Sequence, residues 1–104
     1  MAYELKKHGT RNIFYFEDKE LSYEMIVKAI SIVVEPDERT EEEITSWTVA
    51  FTFKKGDIKV YFEHFYNPDY YFSFELYPLG NNSKKGIRKL KNILDKLDHF
   101  LYNR

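Results

Sequence analysis

The chain has 104 residues, with 16 Lys and Arg against 17 Asp and Glu and a formal net charge of −1. That length predicts one domain over residues 1–104, since single domains commonly run to about 100 to 150 residues. The charge balance excludes a wholesale basic nucleic-acid binder and an acidic solvating chain. Cysteine is absent, which excludes disulfides, thiolate metal sites and a cysteine nucleophile, and the most distinctive feature is nine Phe and nine Tyr beside Trp47.

Met1-Ala2-Tyr3-Glu4-Leu5 is not followed by an apolar run of signal-peptide length. The longest apolar stretches, such as Ile32-Val33-Val34, fall far short of the roughly 20 residues that span a bilayer. A cytoplasmic chain with no membrane partner is expected. Ile13-Phe14-Tyr15-Phe16, flanked by polar residues, reads as a strand. From Leu21 to Val33, Leu21, Met25, Ala29, Ile32 and Val33 recur at helical spacing, with Ser22 as N-cap and Glu24 to Lys28 as a favourable i,i+4 pair. The β-branched stretch from residue 30 to 34 is compatible with either helix or strand, and Pro36 disfavours helix at Glu35.

Residues 35–43 carry Glu35, Asp37, Glu38, Glu41, Glu42 and Glu43 against Arg39. Within them Thr40-Glu41-Glu42-Glu43 fits a capping box and predicts a short helical turn. Residues 47–54, 58–66 and 70–77 then alternate with period two, separated by Lys55-Gly56-Asp57 and Asn67-Pro68-Asp69. This predicts an antiparallel three-stranded meander ended by Pro78 and Gly80-Asn81-Asn82. Ser83 caps a last helix whose apolar stripe is Ile87, Leu90, Leu94, Leu97 and Leu101, widened by Ile93 and Phe100. The expected fold is α+β, an antiparallel sheet of three to four strands in β-α-β-β-β-α order with two helices packed on one face.

Alternation sorts the strands into two sides. Trp47, Val49, Phe51, Phe53, Ile58, Val60, Phe62, Phe72, Phe74 and Leu76 form the predicted core side. The other side mixes Thr48, Ala50, Thr52, Lys54, Lys59 and Ser73 with Tyr61, Glu63, Phe65, Tyr71, Glu75 and Tyr77. It is too polar for a core and richer in aromatics than a face that meets only water. Tyrosine suits an interface because it offers rigid area and a polar tip. The candidate protein-binding residues are therefore Tyr61, Glu63, Phe65, Tyr71, Glu75 and Tyr77. Cover by the N-terminal segment is the competing expectation for this face.

Catalytic chemistry finds little support. His8, His64 and His99 lie far apart, without metal-ligand spacing, and His64 reads as a satisfied boundary histidine. Glu63 and Glu75 face outward on neighbouring strands, but a flat solvated face would give neither the desolvation that acid–base work needs. No nucleophile elbow, P-loop or dinucleotide fingerprint occurs. The chain is expected to be no enzyme and to need no cofactor or metal.

The start of the last helix is the alternative site. Lys84, Lys85 and Arg88 lead a basic segment that continues through Lys89, Lys91, Lys96 and Arg104, against Asp95 and Asp98. Lysines at a positive helix end oppose the usual preference, and with Ser83 and free amides they suit an anion. The stretch Gly80-Asn81-Asn82-Ser83-Lys84-Lys85-Gly86-Ile87-Arg88 resembles the S-K-K-x-A-K signature of the double-stranded RNA-binding domain. The order helix, three antiparallel strands, helix is similar to that family as well. The resemblance implies phosphate contacts from Lys84, Lys85 and Arg88. Lys55-Gly56-Asp57 stands where that family has its G-P-x-H element. The leading expectation is a small non-catalytic protein-binding module, inhibitor or immunity-factor-like, docking through the aromatic outer face and charged segments. RNA or phosphate-backbone binding is the alternative, and a homodimer through the aromatic face or a free strand edge is the third.

Overall fold

The structure, a computed structural model, describes residues 3–67 and 70–102. Pro68 and Asp69 of the second predicted turn, and Arg104 of the basic segment, lie outside the described residues. The protein is α+β, built on one antiparallel sheet of seven strands with two α-helices. The sheet is larger than the three or four strands expected, because the chain opens on a hairpin. In it β1 (Glu4–His8) turns at Gly9, held at φ 64, into β2 (Arg11–Phe16). β1 was missed because Glu4-Leu5-Lys6-Lys7 is an edge strand with solvated side chains and no alternating apolar signal.

Ser22 caps α1 (Tyr23–Ala29) as expected, its Oγ accepting the Met25 N–H at 3.1 Å. The helix then widens into a π-helical turn, Ile30–Val34, closed by the Glu35 N–H on the Ile30 carbonyl at 3.3 Å. Residues 30–34 are thus helical rather than a strand. Glu35 leaves the helix at φ 51, and Pro36 bars the right-handed helical region to it.

The predicted helical turn at Thr40–Glu43 does not form. The Thr40 N–H bonds the Thr52 carbonyl at 2.8 Å, and the Thr40 hydroxyl accepts the Thr52 N–H at 2.9 Å instead of capping a helix. The segment lies along the sheet as two short strands, β3 (Glu38–Arg39) and β4 (Glu43–Ile44), both paired with β5. A single turn fixes several dihedrals for one hydrogen bond, whereas the edge of a long strand offers a ready ladder.

The meander is β5 (Thr48–Lys55), β6 (Ile58–Phe65) and β7 (Tyr71–Tyr77). The strand order is β1-β2-β7-β6-β5-β3, so the N-terminal hairpin extends the sheet beside β7 rather than covering its outer face. The chain order therefore begins β-β-α and not β-α. Trp47, expected in the core, precedes β5 and is 53% exposed. The helix α2 (Lys84–Tyr102) begins with the Ser83 Oγ accepting the Gly86 N–H at 3.2 Å. Gly86 lets α2 approach β7, since a Cβ there would lie 2.8 Å from Leu76 Cδ1. One buried cluster joins Phe14, Phe51, Phe62 and Phe74 of the sheet to Ile26 and Ile30 of the first helical segment and Leu90 and Leu94 of α2. Phe100, placed in the stripe by sequence, is largely exposed.

Candidate docking face

The side of the sheet turned away from that core holds the predicted interaction residues, and it is not flat. Pairing of Tyr15 with Ser73, and of Tyr61 with Glu75, brings β2, β6 and β7 together there. Glu75, expected on a solvated surface, is only 3% exposed. Its cover is lateral. Arg11 reaches across from β2, donating from Nε to Oε2 at 2.9 Å and from Nη2 to Oε1 at 2.7 Å. The Gly80 N–H adds a longer bond to Oε2 at 3.3 Å. A bidentate guanidinium–carboxylate pair fixes both groups and fulfils most of the carboxylate's acceptor capacity. Ser73 is buried beside it, so the middle of the face is a floor, and its tyrosines are walls.

Two grooves share one wall. The smaller, about 270 Å³, is lined by Arg11, Tyr15, Tyr61, Glu63, Tyr71 and Glu75 among others. The larger, about 560 Å³, runs from Tyr61 and Tyr77 to Glu38 and Glu43 on the short edge strands. Tyr61 stands between them, half-buried, its hydroxyl donating to Glu63 Oε2 at 3.3 Å. Burial, then the Glu63 carboxylate and more weakly Glu43, push the Tyr61 phenol up to about 12, so it stays a neutral donor at any physiological pH. Next to the smaller groove Tyr71 stacks on Phe65 at 5.0 Å and meets Tyr15 edge-on at 6.4 Å. Lys6 Nζ sits 4.4 Å over the Tyr15 ring.

Four of the six residues named from sequence, Tyr61, Glu63, Tyr71 and Glu75, therefore meet in one groove. Tyr77 lines the other, and Phe65 supports Tyr71 from the side. Lys6, Arg11 and Tyr15 were missed, because the hairpin that carries them was not foreseen. The alternation of Ile13 and Tyr15 with buried Phe14 and Phe16 was the available signal.

The alternative site looks different. The Ser83 hydroxyl is engaged in capping α2, and its N–H donates to Asn81 Oδ1 at 3.0 Å. Lys85 Nζ lies 4.0 Å from Asp57, and Lys89 also pairs with Asp57, whose carboxyl is held below its usual range by the Lys89 contact first. Lys84 and Arg88 remain exposed.

His64 is not a satisfied boundary histidine. It is 4% exposed, and neither ring nitrogen has a hydrogen-bond partner among the described residues. It stacks on Phe72 at 4.4 Å and on Tyr23 at 5.9 Å, with Tyr70 edge-on at 4.7 Å. Burial holds its basicity below the ordinary value of 6.5, opposed weakly by Glu24 on α1. The unfolded chain therefore binds its proton first. Stability should fall as pH drops from about 6.5 towards the depressed folded value. Replacing a buried unbonded polar group by an apolar ring of similar shape should gain about 1 to 2 kcal/mol. His64→Phe is accordingly expected to raise the urea midpoint at pH 7 and to lose part of the acid sensitivity between pH 7 and pH 5. An unchanged pH profile would contradict this assignment.

Among the described residues no cluster of three His, Asp or Glu side chains is placed to hold a metal ion, and no helix is long and apolar enough to cross a membrane. Compared with known proteins, the chain matches no family model, no curated relative and no solved structure.

Proposed function

We propose that this chain is a non-catalytic protein-binding module of the inhibitor or immunity-factor kind, and that it docks through its outer sheet face. One observation carries the reading. The face is concave and walled by tyrosines over an Arg11–Glu75 pair that is already locked before any partner arrives. Rigid aromatic side chains around a fixed floor lose little entropy on binding, which favours recognition. The same rigidity serves catalysis poorly here, because the one deeply buried carboxylate of the face is bound by a guanidinium instead of being poised for proton transfer.

The test is substitution of Tyr71 and Tyr77 by Ser, followed by the fuller set with Tyr61 and Phe65, each checked for fold by circular dichroism. Capture from the source cell by the unsubstituted chain should survive nuclease, and capture by the folded variants should fail. Unchanged capture by folded variants would refute face docking. Capture that vanishes on nuclease treatment would favour the second reading, RNA or phosphate binding by Lys84, Lys85 and Arg88, for which the exposure of Lys84 and Arg88 speaks. A molecular mass that doubles with concentration would point to a homodimer through this face.

A further inference from the structure

His64 lies one residue before the end of β6, on the core side of the sheet. Val49 of β5 is its register partner, and Phe72 of β7 stacks on its ring. Tyr23 of α1 lies parallel to it, and Tyr66 and Tyr70 approach edge-on. The titratable groups around it are thus three phenols and Glu24 of α1, the carboxylate whose field reaches the ring. Glu42 and Arg39 of the edge segment act on Tyr23 instead. The cover over the ring is thin. Phe72 is completely buried, but Tyr23 and Tyr70 are only half-buried and Tyr66 is exposed. Tyr66 is held by its N–H on the Trp47 carbonyl at 2.9 Å and by its hydroxyl on the Thr45 carbonyl, and Tyr70 by its hydroxyl on the Leu21 carbonyl. The ring contacts of these two tyrosines are with His64 and Phe72, not with the cluster of Phe51, Phe62 and Phe74. Moving them would wet His64 and leave that cluster packed.

We propose that His64 is an acid-operated latch: when it takes up a proton, Tyr66 and Tyr70 move off the ring and this end of the sheet opens while the phenylalanine core stays folded. Both nitrogens of an imidazolium are donors, and neither has an acceptor in the closed corner among the described residues. The faces of Phe72 and Tyr23 attract a cation, but by less than the water it gives up. Opening restores that water. The open corner binds the proton at about the ordinary histidine value, and burial holds the closed one lower. Each pH unit below about 6.5 therefore favours opening by up to about tenfold. The effect reaches the docking face. Phe65 follows His64 in the chain, Tyr71 follows Tyr70, and the two rings stack at 5.0 Å. Opening would loosen that support of the Tyr71 wall, a consequence that rests on the docking reading, whereas the latch itself does not.

The experiment follows amide hydrogen exchange of the whole chain by NMR at pH 7 and pH 5.5, with rates corrected for the intrinsic effect of pH. The Tyr66 amide should be less protected than that of Phe62 in the middle of β6, because its opening is local. Its protection should fall by up to about tenfold at pH 5.5. His64→Phe should abolish the fall, and His99→Gln on α2 should leave it unchanged. Should the phenylalanine variant lose its dispersed spectrum, His64→Leu makes the comparison. If the Tyr66 amide exchanges too fast to follow, the emission of Trp47, the single tryptophan of the chain, reads the same contrast, since its carbonyl holds that amide. A Tyr66 signal indifferent to pH would mean fraying that never wets His64, and would overturn the proposal. So would Tyr66 protection equal to that of Phe62, which means unfolding of the whole chain, or a fall that survives His64→Phe. Partner capture at the two pH values reads the outer face separately. Capture that holds at pH 5.5 while the latch opens removes the link to docking and nothing else.

Discussion

Phe62→Ala is expected to remove about 3 to 5 kcal/mol of stability, the cost of emptying a large core site that cannot fully collapse. Phe62 is completely buried on the central strand β6. Its ring lies 5.0 Å from Phe74, 5.2 Å from Phe51 and 6.0 Å from Tyr23, so the cavity would open between two neighbouring strands and α1. A domain of this size is stable by about 5 to 15 kcal/mol in all, so the variant should sit near its unfolding midpoint under mild urea. Phe65→Ala, on the same strand but the opposite face, leaves a half-buried position and should cost about 1 kcal/mol. Urea titration of both variants checks the pair. Equal losses would mean that the two faces of β6 are not divided as described.

Arg11→Met is the second large effect, about 2 to 3 kcal/mol. Removing one partner of a buried ion pair strands the other charge. Here Glu75 is the stranded group, with 4% of its side chain exposed against 42% for Arg11. The exposure of Arg11 moderates the loss, because water already screens part of the interaction. It also makes the two single variants unequal. Glu75→Leu frees an arginine that can turn to solvent and should cost about 1 kcal/mol, while Arg11→Met leaves a carboxylate that cannot. Adding Glu75→Leu to Arg11→Met should restore most of the stability, since the charge left without a partner is then gone. A double variant as unstable as Arg11→Met alone would show that packing, not charge, is what Arg11 contributes. Loss of partner capture by the restored double variant would separate the binding role of the pair from its structural one.

Local pattern told most where one face of an element is buried and the other solvated. The period-two alternation of residues 47–77 located the three long strands and the turn at Lys55-Gly56-Asp57 between the first two, and the stripe from Ile87 to Leu101 located α2. The same parity assigned Tyr61, Glu63, Tyr71 and Glu75 to one side before any of their contacts were known. It was less informative at both margins of the sheet. The hairpin strand β1 has no buried face of its own, and the acidic segment 38–44 carries good helix-capping chemistry that the open edge of β5 outcompetes.

The amino-acid order alone thus settled the class, the central strands, the last helix and the side of the sheet on which Phe51, Phe53, Phe62, Phe72 and Phe74, as against Tyr61, Phe65, Tyr71 and Tyr77, lie. Alternation and helical spacing are local consequences of which side chains must leave water. The shape of the outer face had to come from long-range pairing. Nothing near Glu75 in the chain announces that Arg11, sixty-four residues earlier, will close over it. Nothing near Tyr61 announces Glu43 across another strand. Placing β2 against β7 and β4 against β5 turned a face that looked flat and solvated into a walled groove with a buried floor. Burial of a charge depends on neighbours brought together by the fold, and those neighbours are not encoded in any one window of the chain.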